Sequence, residues 1–188
     1  MHTGLYFGTF NPIHNGHLAI AEAMYQTCHF DAIWMIISPN SPFKQYSGLV
    51  DENIRYRMLC LAIEDYPYIK ASKVEFDMPK PNYTYATLRK LTLTYPEEKF
   101  SLIMGSDNLE NIRQWKNYEE ILQNHTVYVY PRGEKNIACK QKNITIVPLP
   151  LLKISSTELR KKLQEGKDCS REIPAKTLQF ILNQHLYK

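Results

Sequence analysis

A chain of 188 residues (22.0 kDa), 44% hydrophobic and 22% charged, has the composition of a globular protein that folds in water, and it is long enough to bury a substantial core. Its net charge of +4 and pI of about 8.8 suit anionic ligands but fall short of a duplex-binding surface, so no nucleic-acid partner is expected. Cys28, Cys60, Cys139 and Cys169 form no CxxC pair, which argues against a zinc cage or dithiol motif, and no apolar run approaches a membrane span; reduced thiols and a cytoplasmic location are expected.

In chain order, Gly4 to Phe7 reads as a strand and Gly16 to about Gln26 as a helix that packs through Leu18, Ile20, Ala21 and Met24. Ala32 to Ile37 is a nearly continuous apolar strand, the pattern of a parallel strand covered on both faces. A loop with Pro39, Pro42 and Gly48 leads to a helix from Asp51 to about Asp65, then a third strand over Ala71 to Phe76. Tyr83 to Tyr95 has helical spacing and stops before Pro96. Strands follow at Phe100 to Met104, Thr126 to Tyr130 and Ile144 to Leu149, and helices at Ser156 to Gln164 and Ala175 to Tyr187, the last entered through Pro174 as a first-turn residue. Met35 and Met104 read as strand core. The alternation predicts an α/β fold: a Rossmann-like, doubly wound parallel sheet with C-terminal helices, as one domain over residues 1–188. Ligands of such sheets bind beyond the carboxyl ends of the strands.

The first strand runs into Gly8-Thr9-Phe10-Asn11-Pro12-Ile13-His14-Asn15-Gly16-His17. Gly8 permits a sharp turn, Pro12 stiffens it, and the two imidazoles stand three residues apart where a helix begins. A helix start favours phosphate through its amides and dipole, and Gly16 removes a side chain that would crowd the approach. By spacing alone the histidines could equally be polar residues at a helix start, or share a metal, although no H-E-x-x-H partner accompanies them. No G-x-x-x-x-G-K-S/T phosphate loop occurs. The run of strand, glycine turn, proline and paired histidines favours the phosphate reading.

A second element, Ile154-Ser155-Ser156-Thr157-Glu158-Leu159-Arg160, contains the S-x-x-E spacing of a capping box. It also offers hydroxyls and amides of Ser156 and Thr157 to an anion, with Arg160 one turn on. The two readings are compatible. Lys161 and Lys162 read as a solvated face.

Together the two elements resemble the nucleotidyltransferase superfamily with T/H-x-G-H near the N-terminus and I-S-S-T-x-x-R near the C-terminus. Within it, the chain is most similar to the nicotinate mononucleotide adenylyltransferase family over nearly its whole length. Gly8 to His14 is close to that family's G-T-F-D/N-P-I/V-H; Pro81-Asn82-Tyr83-Thr84 with Thr87-Leu88 resembles P-S-Y-T-x-x-T-L; Gly105-Ser106-Asp107 with Trp115 matches its G-x-D and W region. Two departures stand out: Phe7 replaces the first glycine of a Gly-Gly pair, and Ser41-Pro42-Phe43-Lys44 replaces P-H-K/R. The resemblance implies transfer of AMP from ATP to nicotinate mononucleotide, giving deamido-NAD and pyrophosphate. It assigns His14, His17 and Arg160 to catalysis on the phosphates. ATP would meet Gly8, Thr9, Phe10, Gly16, Gly105, Asp107, Ile154, Ser155, Ser156 and Thr157. The mononucleotide would meet Asn11, Lys44, Tyr83, Thr84 and Trp115, although as residues alone Tyr83 and Trp115 could equally be core.

The attacking phosphate is already ionised, so such a reaction needs alignment and charge neutralisation rather than a general base. Mg²⁺ bound mainly through the ATP phosphates is the expected cofactor, with no protein metal site. Rival readings are phosphopantetheine adenylyltransferase, which usually has Thr at the first histidine; a cytidylyltransferase; and a non-catalytic nucleotide sensor of the same fold. Association into a homo-oligomer is left open.

Overall fold

The computed structural model describes residues 1–39, 48–132, 141–150 and 154–188. Six strands and seven α-helices alternate: β1 (His2–Gly8), α1 (Asn15–Cys28), β2 (Ala32–Ile37), α2 (Glu52–Ala62), β3 (Ile69–Ser72), α3 (Thr84–Thr94), β4 (Lys99–Gly105), α4 (Ser106–Glu110), a 3₁₀ turn (Ile112–Gln114), α5 (Tyr118–Asn124), β5 (Val127–Tyr130), β6 (Ile144–Ile146), α6 (Ser156–Gln164) and α7 (Ala175–Asn183). The strands form one parallel sheet in the order β3-β2-β1-β4-β5-β6. This is a Rossmann-like α/β fold, and the order reverses between β1 and β4, where such sheets open a crevice.

Alternate strand residues feed two cores because side chains alternate across a sheet. On one face, Leu5, Ile36, Leu102, Met104, Val127 and Val129 pack with Leu88, Leu91, Ile112, Ile121 and Leu122. On the other, Tyr6, Ile33, Met35, Ile37 and Ile103 pack with Leu18, Ala21, Met24, Met58, Leu59, Leu159 and Ile181. Burying both faces explains why β2 is apolar almost throughout.

Several expected elements shift. β3 spans Ile69–Ser72, and residues 74–76, expected as strand, form turns instead. Their apolar side chains serve packing: Val74 joins one core and Phe76 the other. β6 stops at Ile146, before Pro148, which has no N–H for a ladder. Pro174 is the residue capping α7, not its first helical residue, and α7 ends at Asn183; beyond it His185 and Tyr187 adopt left-handed backbone (φ 52° and 63°). α4, the 3₁₀ turn and α5 were not expected. Lys162, expected on a solvated face, stays part-exposed there and pairs with Glu172.

The buried Arg55 of α2 braces the loops around the crevice. Its guanidinium donates to the carbonyls of Val50 (2.8 Å), Thr9 (2.7 Å), Ser38 (3.0 Å) and Pro39 (3.3 Å). Among the described residues, no helix is long and apolar enough to cross a membrane.

Candidate active site

At the carboxyl ends of β1 and β4 lies a cavity of about 570 Å³. Gly8, Thr9 and Phe10 continue β1 into its wall; Gly105, Asp107 and Asn108 continue β4. Ser155, Ser156, Thr157 and Arg160 face it from the start of α6, and Tyr83, Thr84 and Trp115 from another side. Phe10 has left-handed backbone (φ 45°) and is buried, with its ring packed in the core.

His14 caps α1 and His17 lies in its first turn, which stacks their rings 3.6 Å apart at 23°. Phe10 presents an edge-on contact to His17 at 5.1 Å. His17 lines the main cavity; His14, Gly16 and Ile154 line a smaller one of about 30 Å³ that shares Tyr6, His17, Tyr130 and Arg132 with it. Among the described residues, the Nδ1 atoms of both histidines are buried without a hydrogen-bond partner. Burial, helped by the positive charge of Arg132, lowers the His14 pKa to about 4. Burial, then His14 and Arg132, pushes His17 well below its ordinary value. Both rings are therefore neutral at pH 7 in the free protein.

Gly16 is needed where it stands. A β-carbon there would come within 3.0 Å of His14 Nδ1 and 3.4 Å of Ile154, pressing on the stacked ring. At Gly105 a β-carbon would meet Asp107 Oδ1 at 2.5 Å. The start of α1 is less open than its sequence suggests: the Asn15 amide donates to Glu172, and those of His17 and Leu18 turn back to His14. At α6, Ser155 is the capping residue, but its side chain makes no capping bond, so the expected capping box is not formed. Instead Ser156 Oγ donates to the Pro12 carbonyl (3.0 Å), and Arg160 donates to the Asn11 carbonyl (2.8 Å) and to Thr157 Oγ1 (3.3 Å). These bonds clamp the second sequence element onto the first.

Asn11 is buried beneath the cavity and not part of its wall. Its side chain donates to the Gly48 carbonyl (3.3 Å) and accepts from the Val50 amide (3.4 Å) and the Tyr187 hydroxyl (2.7 Å). Lys44 lies outside the described residues.

Sequence reading missed Arg132, which follows β5 and pairs with Asp107 at 3.1 Å. The Ser106 hydroxyl ties its backbone to α4, accepting from the Arg132 amide (2.8 Å) and donating to its carbonyl (3.1 Å). Its position just beyond the end of a predicted strand was the available signal. Three others were also missed. Lys116 stands 4.8 Å over the Tyr83 ring. Glu75 and Asn82 are buried in the same wall, joined through the Asn82 amide and the Glu75 carbonyl, while the Glu75 carboxylate accepts from Thr87. Burial raises the Glu75 pKa. Among the described residues, no cluster of three or more His, Cys, Asp or Glu side chains is placed to hold a metal ion.

The cytidylyltransferase-like family model matches residues 5–162. A protein of Flavobacterium johnsoniae named "Probable nicotinate-nucleotide adenylyltransferase" is 45% identical over the full length of both chains. One of Bacteroides fragilis with the same name is 37% identical, covering 99% of this chain and 89% of its own. Among solved structures, the Plasmodium falciparum nicotinic acid mononucleotide adenylyltransferase complexed with NaAD superposes with a TM-score of 0.85 at 23% identity, covering 99% of this chain and 97% of that one. The same enzyme complexed with APC superposes at 0.83 with 22% identity, covering 99% of this chain and 96% of that one.

Proposed function

The chain belongs to the cytidylyltransferase-like family, and from that premise we propose that it is a nicotinate-nucleotide adenylyltransferase, moving AMP from ATP to nicotinate mononucleotide. The product is deamido-NAD, with pyrophosphate released. Although the family is described by cytidylyl transfer, the full-length relatives at 37–45% identity are named for adenylyl transfer to a nicotinate nucleotide. One observation carries the reading: a single cavity has His17 and the Ser155–Arg160 segment in its wall together with Tyr83, Thr84 and Trp115. It thus offers phosphate-binding chemistry and aromatic surface for a flat base at once.

In this proposal the mononucleotide's phosphate oxygen attacks the α-phosphorus of ATP, forming a new P–O bond as the bond to pyrophosphate breaks. His14, His17 and Arg160 meet the triphosphate, with Ser156 and Thr157 adding hydroxyls; neutral imidazoles donate single hydrogen bonds, and Arg160 supplies fixed positive charge. Gly8, Thr9, Phe10 and Gly16 bring backbone close to ATP, with Ser155 and Ile154 opposite, while Gly105 and Asp107 lie on the nucleoside side. Tyr83, Thr84 and Trp115 take the pyridine ring, and Lys44 the mononucleotide phosphate. Asn11 acts from beneath, by holding the turn in place.

Mg²⁺ does not fit a protein cage here. It is held by proteins mainly through carboxylates, whereas the phosphate-facing groups are imidazole, neutral hydroxyl and guanidinium, and the carboxylate of Asp107 is paired with Arg132. The ion would therefore travel on the phosphate oxygens of the nucleotide, and no step above depends on it. At the pyridine end, the Lys116 ammonium and the start of α3 favour a carboxylate over a carboxamide.

A pyrophosphate-release assay with ATP–Mg²⁺ tests the proposal against nicotinate mononucleotide, nicotinamide mononucleotide and phosphopantetheine. Turnover is expected with the first, and kcat/KM for the amide at least about tenfold lower. Equal use of acid and amide refutes the acid-specific pocket. Turnover of phosphopantetheine alone reassigns the acceptor, and ATP binding without turnover of any acceptor identifies a sensor.

A further inference from the structure

Resting on the proposed role of Arg160 at the ATP phosphates, we infer that Tyr187 is a positioning residue for the phosphate site, acting through Asn11. Tyr187 belongs to none of the sequence motifs. It follows α7, in a segment with left-handed backbone at both His185 and Tyr187. Non-glycine residues rarely adopt that conformation unless their surroundings hold them in it. Here the holding is visible. The Leu186 amide bonds the Ile181 carbonyl (3.0 Å), and Leu186 and Tyr187 both pack against the larger core.

The result is that the Tyr187 hydroxyl donates to Asn11 Oδ1 at 2.7 Å, shorter than the other two bonds of that side chain. Burial raises the Tyr187 pKa, and the charges of Arg160 and Arg55 oppose that rise. Arg160 in turn donates to the Asn11 carbonyl at 2.8 Å. Asn11 is thus held on its side chain by Tyr187, Gly48 and Val50, while its backbone anchors Arg160. Arg55 fixes the neighbouring Thr9 carbonyl. Without the phenol, the Asn11 side chain keeps only its two longer bonds, and the turn that seats Arg160 can rock.

Calorimetric titration of ATP into the full-length protein tests this with Tyr187→Phe, which keeps the ring and its packing, Asn11→Ala, and the double variant. Loss of one buried hydrogen bond sets the scale. Tyr187→Phe should weaken ATP binding about fivefold, Asn11→Ala comparably, and the double variant no more than the weaker single one. A purely structural role would lower the amount of competent protein, read as stoichiometry, and leave the Kd of the remainder unchanged. Wild-type Kd in Tyr187→Phe, or losses that multiply in the double variant, overturns the inference. A parallel pyrophosphate assay of the wild type with nicotinate mononucleotide reports on the acceptor alone, so failure there is distinguishable from failure of the Tyr187 linkage.

Discussion

Burial sets the charge of the two stacked histidines before any nucleotide arrives. A neutral imidazole can donate a hydrogen bond to a phosphate without two adjacent positive charges having to be buried. His17 is enclosed by His14, Phe10 and Tyr6, and it lines the main cavity directly. Replacing it by Ala should lower kcat by roughly 10²–10³, the effect of removing one key transition-state donor. Steady-state kinetics on a variant with an unchanged circular dichroism spectrum measures this; near-normal kcat would remove His17 from the chemistry. The histidines and the serine-threonine-arginine element were legible in the sequence because each is a contiguous pattern. Arg132 was not, since its partner Asp107 lies 25 residues away and only the sheet unites them. Tyr187 was hidden in the same way, by 176 residues of separation from Asn11.

At the scale of elements, α2 contributes a brace more than a ligand. Arg55 converts one buried side chain into a tie among the ends of β1 and β2 and the entry to α2, through four carbonyls. Arg55→Met fills similar space but leaves those carbonyls short of a donor, and should cost about 3 kcal/mol of stability. Urea unfolding measures this, and a loss under about 1 kcal/mol would show the carbonyls finding other partners. Element boundaries were legible where hydrophobic pattern and local geometry agree. The bounds of β2 and α6 match the expected ranges, since one is a continuous apolar run and the other begins after a serine. The segment from 106 to 124 gave no such signal. α4 and α5 have only 5 and 7 residues, too short for helical periodicity to repeat, and packing defines them. Residues 74–76 misled for the opposite reason: their apolar residues belong to turns that reach into both cores.

For the whole molecule, the histidine pair links the site to stability. His14 has an ordinary pKa of 6.5 and a folded value of about 4. Between those values the unfolded chain binds a proton that the folded chain does not, so stability falls as pH drops through this window. Below pH 4 this group takes no more. His17 shifts in the same direction. His14 alone should make the protein on the order of 2 kcal/mol less stable at pH 5 than at pH 7. Urea unfolding at both pH values, compared between wild type and His14→Gln, isolates the term: the variant should lose less on acidification, and equal losses would contradict the buried neutral ring. The bonds that clamp α6 onto the first loop have a consequence for synthesis. Once Ile146 is added, a ribosome has delivered all six strands, yet Pro12 and Asn11 still lack Ser156 and Arg160, the partners 144 and 149 residues further along. A nascent chain can thus hold all six of these strands while the wall facing the nucleotide, and two of the helices that cover one face of the sheet, are still to come.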